Sequence, residues 1–83
     1  MRNFVTKLIL YTTDACHLCE QAKTLIFSVI DGTALTLVEV DIAEDEVLLQ
    51  KFGLHIPVLE SADSQQRCYW PFDSEQVFKL VAS

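Results

Sequence analysis

Leu8-Ile9-Leu10-Tyr11-Thr12-Thr13-Asp14-Ala15-Cys16-His17-Leu18-Cys19 contains two different patterns, and the join between them decides the fold. Lys7 opens the stretch, and residues 8–11 form a short apolar run closed by the polar Thr12-Thr13-Asp14. A run of that length with those flanks reads as a buried strand. From Leu18 the spacing changes. Leu18, Ala22, Leu25, Ile26, Val29 and Ile30 recur at i, i+4, i+7, i+8, i+11 and i+12, which lays one apolar stripe along a helix. Asp31-Gly32 closes that helix, and Gly32 suits a left-handed C-terminal cap. Cys16 and Cys19 therefore fall where a strand hands over to a helix.

The remaining elements follow from the same reading. Residues 35–40 form a second strand, apolar on both faces except at Thr36 and Glu39. A second helix is expected from about residue 43 to 52, with Glu44, Asp45 and Glu46 in the first turn, where the helix dipole favours acids. Val47, Leu48 and Phe52 supply its apolar stripe, and Gly53 ends it. Residues 56–60 are a third strand, entered through Pro57. A polar turn over 61–65 leads to a fourth strand over 67–70. Asp73 followed three residues later by Gln76 resembles a capping box, and the helix behind it carries Val77, Phe78, Leu80 and Val81. The order β-α-β-α-β-β-α predicts an α/β fold. Strands joined through a helix pair in parallel with a right-handed crossover, and the last two strands pair antiparallel. A four-stranded mixed sheet with helices on both faces accounts for residues 1–83 as one domain.

Composition narrows the function. The chain has 83 residues, 51% of them apolar, and six Lys plus Arg against twelve Asp plus Glu, for a net charge of −6. That apolar fraction argues against disorder. A domain of this size buries only about two thirds of its unfolded surface, so a thin stability margin is expected. An acidic chain repels phosphate backbones, and the basic residues Arg2, Lys7, Lys23, Lys51, Arg67 and Lys79 form no stripe, which argues against nucleic acid. The longest apolar run near the start, 8–11, is far short of the ~20 residues that a membrane span needs, and no targeting segment is recognisable. No membrane partner is expected. Three cysteines is an odd count, whereas small disulfide-stapled secreted domains usually show an even one. The expectation is a cytoplasmic, reducing location with cysteines used for chemistry.

The chemistry centres on Cys16-His17-Leu18-Cys19. A cysteine at a helix start faces unpaired backbone N–H groups and the positive end of the helix dipole, and both stabilise a thiolate. Cys16 is thus the attacking thiolate. Cys19, one turn in and better buried, is the resolving thiol that releases a mixed disulfide. His17, when protonated, favours the thiolate, whereas Asp14 and Glu20 oppose it. Two alternatives share the motif. A zinc site would need Cys68 plus His17 or His55 as further ligands, with no second C-x-x-C or H-x₃₋₅-H to supply them. Two buried, inert cysteines would be the other. The strand-to-helix location and the β-α-β context favour redox chemistry.

Residues 8–19 resemble the start of a glutaredoxin, and Ile56-Pro57-Val58, about forty residues on, lies where thioredoxin-fold proteins place a cis-proline facing the active site. The chain is most similar to short glutaredoxin-like proteins with a C-x-L-C site and a late Pro-Phe-Asp, here Pro71-Phe72-Asp73. The resemblance spans nearly the whole chain. It implies a thioredoxin fold, Cys16 as nucleophile, Cys19 as resolving thiol and Pro57 as the cis-proline. It further implies that the Ile56 backbone pairs with an extended peptide or glutathione, and that Asp73 at the last helix helps bind substrate. X–Pro bonds adopt cis far more readily than others. The implied partners are a disulfide-containing protein or glutathione, and a thiol reductant or reductase as electron donor. A monomer is expected. No metal or organic cofactor is expected, with glutathione a candidate co-substrate. Three departures bear on glutathione alone. Thr13 stands where glutaredoxins carry Lys, His17-Leu18 replace Pro and an aromatic, and Trp70-Pro71-Phe72-Asp73 occupies the Gly-Gly region, of which only the acid and the helix N-terminus remain.

Other residues take plainer readings. His55 reads as an exposed loop residue, Cys68 as a small buried one, and Tyr11 and Trp70 as packing. Glu39, Asp41, Glu44, Asp45 and Glu46 hold five of the twelve acids and read as a solvated face, with a basic partner as the functional alternative.

Overall fold

The structure, a computed structural model, describes residues 6–82. Strand β1 (Lys7–Thr12) runs through the middle of a four-stranded sheet of order β2-β1-β3-β4. It pairs in parallel with β2 (Thr36–Asp41), from Lys7 opposite Thr36 to Thr12 opposite Asp41. It pairs antiparallel with β3 (Val58–Ser61), which pairs antiparallel with β4 (Arg67–Tyr69). Helix α1 (His17–Ile30) makes the crossover between the parallel strands, α2 (Glu46–Phe52) joins β2 to β3, and α3 (Ser74–Ala82) follows β4. This is the expected mixed α/β order.

Alternation along the strands divides the apolar side chains between two layers. Leu8 and Leu10 of β1 and Leu59 of β3 are fully buried against Ala22, Ile26 and Ile30 of α1 and Val77 and Leu80 of α3. Phe72, just before α3, closes this main core. On the opposite face Phe52 of α2 packs with Ile42 and Val58, flanked by Tyr11, Leu48 and Ile56. The Tyr11 and Phe52 rings stack with centroids 4.4 Å apart. Burying each of these large side chains contributes about 2 kcal/mol, and the two small cores together hold the sheet between its helices.

Several boundaries differ from the sequence expectation, each for a local reason. Helix α2 begins at Glu46 rather than near residue 43. Asp41 accepts the Ala43 N–H at 2.9 Å, and Asp45 caps the helix by accepting the Leu48 N–H at 3.1 Å. Only Glu46 of the three acids therefore enters the first turn. β2 is a mostly exposed edge strand, paired on one side only, so Val38 is exposed although the strand is apolar on both faces. β3 starts after Pro57, and its four residues are all buried because it lies inside the sheet. The α1 stripe is centred on Cys19, Ala22, Ile26 and Ile30, which turns Leu18 out to solvent. Val47 and Phe78, also expected on apolar stripes, are exposed on α2 and α3. Gly32 has φ of +81° just past α1, the left-handed position foreseen for it.

Candidate functional site

Strand directions gather the candidate residues at one end of the sheet. The C-terminal ends of β1, β2 and β4 and the N-terminal end of β3 share that end, since Tyr11 is opposite Val58 and Val58 is opposite Tyr69. Cys16, Pro57, Trp70-Pro71 and Asp73 all follow or precede those strand ends by a few residues.

Cys16 is the N-cap of α1. Its Sγ accepts the Cys19 N–H at 3.1 Å, doing for this helix what a Ser or Asp oxygen usually does. Its carbonyl accepts the Glu20 N–H at 3.1 Å, the first bond of the helix. The chain enters this cap through Ala15, whose φ of +58° is the left-handed conformation that costs a non-glycine residue about 1 kcal/mol. No glycine marks that turn in the sequence, so the reversal before Cys16 had no signal there. Cys16 and Cys19 form a disulfide, with Cα atoms 5.2 Å apart. Cys19 is buried and Cys16 is partly exposed, which matches the expected asymmetry between an accessible and a shielded sulfur. His17, the first helical residue, is exposed beside Cys16 in a shallow cleft of about 290 Å³ that Ala15 and Glu20 complete.

The Ile56–Pro57 bond is cis, and Pro57 is buried. The Ile56 N–H is already used, donating to the Phe52 carbonyl at 3.1 Å. Only the Ile56 carbonyl is therefore available for an extended substrate, which narrows the two-way backbone pairing that the resemblance implied. A second cis bond, Trp70–Pro71, lies at the same end, and the Trp70 N–H donates to the Pro57 carbonyl at 3.2 Å. The sequence shows Pro71 but not its isomer. The capping box on α3 forms as expected. Asp73 accepts the Gln76 N–H at 2.9 Å, and the Gln76 side chain accepts the Asp73 N–H at 3.0 Å. Both N–H donors are thereby satisfied within the start of the helix.

The acidic run does not form one face. Glu39 and Asp41 lie at the site end of β2, opposite Leu10 and Thr12, and border a cleft of about 200 Å³ with Asp14, Glu20 and Lys23. Lys23 bridges Glu20 at 3.2 Å and Glu39 at 3.4 Å, which raises its affinity for a proton, chiefly through the Glu20 hydrogen bond. Parallel pairing of β1 with β2, predicted from the sequence, contains the signal that carries residues 39 and 41 to the site. His55 is exposed, with its ring set edge-on to Tyr69 at 5.6 Å. Cys68 is half-buried, not fully buried, and its thiol lies 3.8 Å from the Gln76 carbonyl. Among the described residues no three His, Cys, Asp or Glu side chains converge as metal ligands. The zinc arrangement with Cys68 is not assembled.

A parallel β-α-β unit, an antiparallel hairpin, a cis-proline and a C-x-x-C disulfide capping the first helix define the thioredoxin-like class. The sequence profile described as Glutaredoxin-like domain (DUF836) matches residues 7–82, and the chain belongs to this glutaredoxin-like family of the thioredoxin superfamily. It is similar to the X-ray structure of the Northeast Structural Genomics target protein XcR50 from X. campestris. That match has 34% identity and a TM-score of 0.73 over 84% of this chain and 88% of the other. It is also similar to the solution NMR structure of protein Ne2328 from Nitrosomonas europaea, at 27% identity and a TM-score of 0.78 over 100% of both chains. No curated protein matches. Among the described residues no helix is long and apolar enough to cross a membrane.

Proposed function

We propose that the chain is a dithiol thiol–disulfide oxidoreductase that reduces protein or glutathione mixed disulfides in cell redox homeostasis. The observation that carries this reading is the Cys16 Sγ accepting the Cys19 N–H at 3.1 Å on the N-cap of α1. Reduction of the disulfide leaves that N–H and the helix dipole to stabilise a Cys16 thiolate. The thiolate attacks one sulfur of a substrate disulfide. A Cys16–substrate bond forms, the substrate S–S bond breaks, and the departing thiolate takes a proton. The Cys19 thiol then loses its proton and attacks the Cys16 Sγ, forming the Cys16–Cys19 disulfide and expelling the second substrate thiol. Two electrons pass from the pair to the substrate; Cys19 gives up one proton and solvent supplies the other, so that both departing thiols leave protonated. A thiol, either glutathione or the dithiol of a reductase, restores the pair. No metal or organic cofactor enters this scheme. The reading includes a monomer working in the cytoplasm.

The deciding experiment is the pH dependence of Cys16 alkylation in the reduced protein. The expected midpoint lies below that of a free cysteine, and a midpoint at or above about 8.5 would sink the catalytic role. Cys16→Ser is expected to abolish turnover. Cys19→Ser is expected to retain the first attack and accumulate mixed disulfides, seen by intact mass. Equal activity of Cys16→Ser and wild type would refute the assignment. A second reading is a non-catalytic interaction module with a structural or regulatory disulfide, favoured by the burial of Cys19. A pair potential below about −300 mV would select it.

A further inference from the structure

We propose that the cleft beside Cys16 selects disulfides carrying positive charge next to the scissile bond and disfavours anionic ones, so that of the two substrate classes above it takes protein disulfides in preference to glutathione mixed disulfides. The proposal rests on the redox reading above and names the substrate class of the same site. The cleft at Cys16 and the smaller one beside it share Ala15 and Glu20, so they form one continuous surface. Four carboxylates, Asp14, Glu20, Glu39 and Asp41, border the second part against a single ammonium, Lys23. That ammonium is held by Glu20 and Glu39 and is not left to receive a substrate carboxylate. The local balance is therefore three negative charges, four minus one, adjoining the attacking sulfur.

A disulfide sulfur that reaches Cys16 enters the cleft of Ala15, Cys16, His17 and Glu20, and a group next to that sulfur meets the field of the carboxylates beyond Glu20. The four carboxylates are solvent-exposed, and their summed field attracts a cation and repels an anion in a way that salt screens. At the other flank Asp73 and Gln76 satisfy each other across the start of α3, so nothing there offsets the repulsion of an anion. Positive side chains beside a protein disulfide suit the acidic flank, and a peptide with two free carboxylates does not.

Three small disulfides of similar size test this on the reduced full-length chain: cystamine, a dication; 2-hydroxyethyl disulfide, neutral; and 3,3′-dithiodipropionate, a dianion. Single-turnover oxidation rates are divided by those for free mercaptoethanol with the same disulfide. The normalised rate is expected to favour cystamine over the dianion by about tenfold or more. The preference is expected to shrink severalfold in 1 M KCl, where the Debye length is about 3 Å. It is also expected to shrink in the double variant Asp14→Asn/Glu39→Gln. Equal normalised rates, or a preference that neither salt nor the substitutions reduce, would overturn the proposal while the redox reading stands. Oxidation by none of the three would remove the redox reading itself.

Discussion

Cys68 shows how position tells two kinds of cysteine apart. With Cys16 and Cys19 bridged it is the one free thiol of the three cysteines. Burial pushes its pKa up, and the Asp73 carboxylate adds to the rise. A thiol that holds its proton more tightly when folded contributes fully to stability below its unfolded value of about 8.5. That contribution is lost as pH rises through the folded value. In the oxidised protein, alkylation of Cys68 should follow a pH profile displaced upward from that of free cysteine and run severalfold slower at neutral pH. A profile at or below the free-cysteine one would contradict the burial described for it. Among the described residues Glu60 is the buried carboxylate, and Arg67 meets it with its Nε at 2.8 Å. Burial, and next the Glu60 carboxylate, raises the nearby Tyr11 phenol, which keeps it neutral against Phe52. These groups link three strands and α2 on the minor-core side.

Among the elements, α3 depends on its start. It has nine residues, and the reciprocal Asp73–Gln76 bonds organise its first turn beside Cys68. Asp73→Ala removes one of those bonds and should cost about 1 kcal/mol. In a domain of this size that lowers Tm by about 4–8 °C, readable by calorimetry. An unchanged Tm would mean that the box carries no stability. This box was legible in the sequence because its two residues are three apart and act locally. The same holds for the C-x-x-C at the head of α1 and for the element order, both set by short-range pattern. What was not legible depends on the neighbours. Leu18 and Phe78 look like core residues until the packing of α1 and α3 fixes which side each helix buries. Glu39 and Asp41 look like one acidic run with residues 44–46 until the β1–β2 register takes them to the disulfide. The Ala15 reversal and the cis bond before Pro71 belong to residues that also accept the commoner conformation, so composition is silent about them.

At the scale of the molecule, the sheet separates a larger core from a smaller one, and neither is deep. A stability of about 0.1 kcal/mol per residue implies about 8 kcal/mol for the whole chain. Ile26 is fully buried at the centre of the main core. Ile26→Ala should cost about 3 kcal/mol, more than a third of that margin. Urea unfolding would show it as a lower midpoint with the slope kept. A loss under about 1 kcal/mol would place Ile26 outside a tightly packed interior.

The polarity of the strands and helices also governs how the molecule can be handled. Thr6 precedes β1 at the end of the sheet remote from Cys16, and α3 starts near the site and carries Ala82 away from it. An affinity handle or flexible tether that leads off from Thr6 or from Ala82 therefore starts at the pole opposite the sulfurs. Anchored to beads through such a handle, Cys19→Ser protein becomes an oriented bait, free to hold the proteins whose disulfides it attacks.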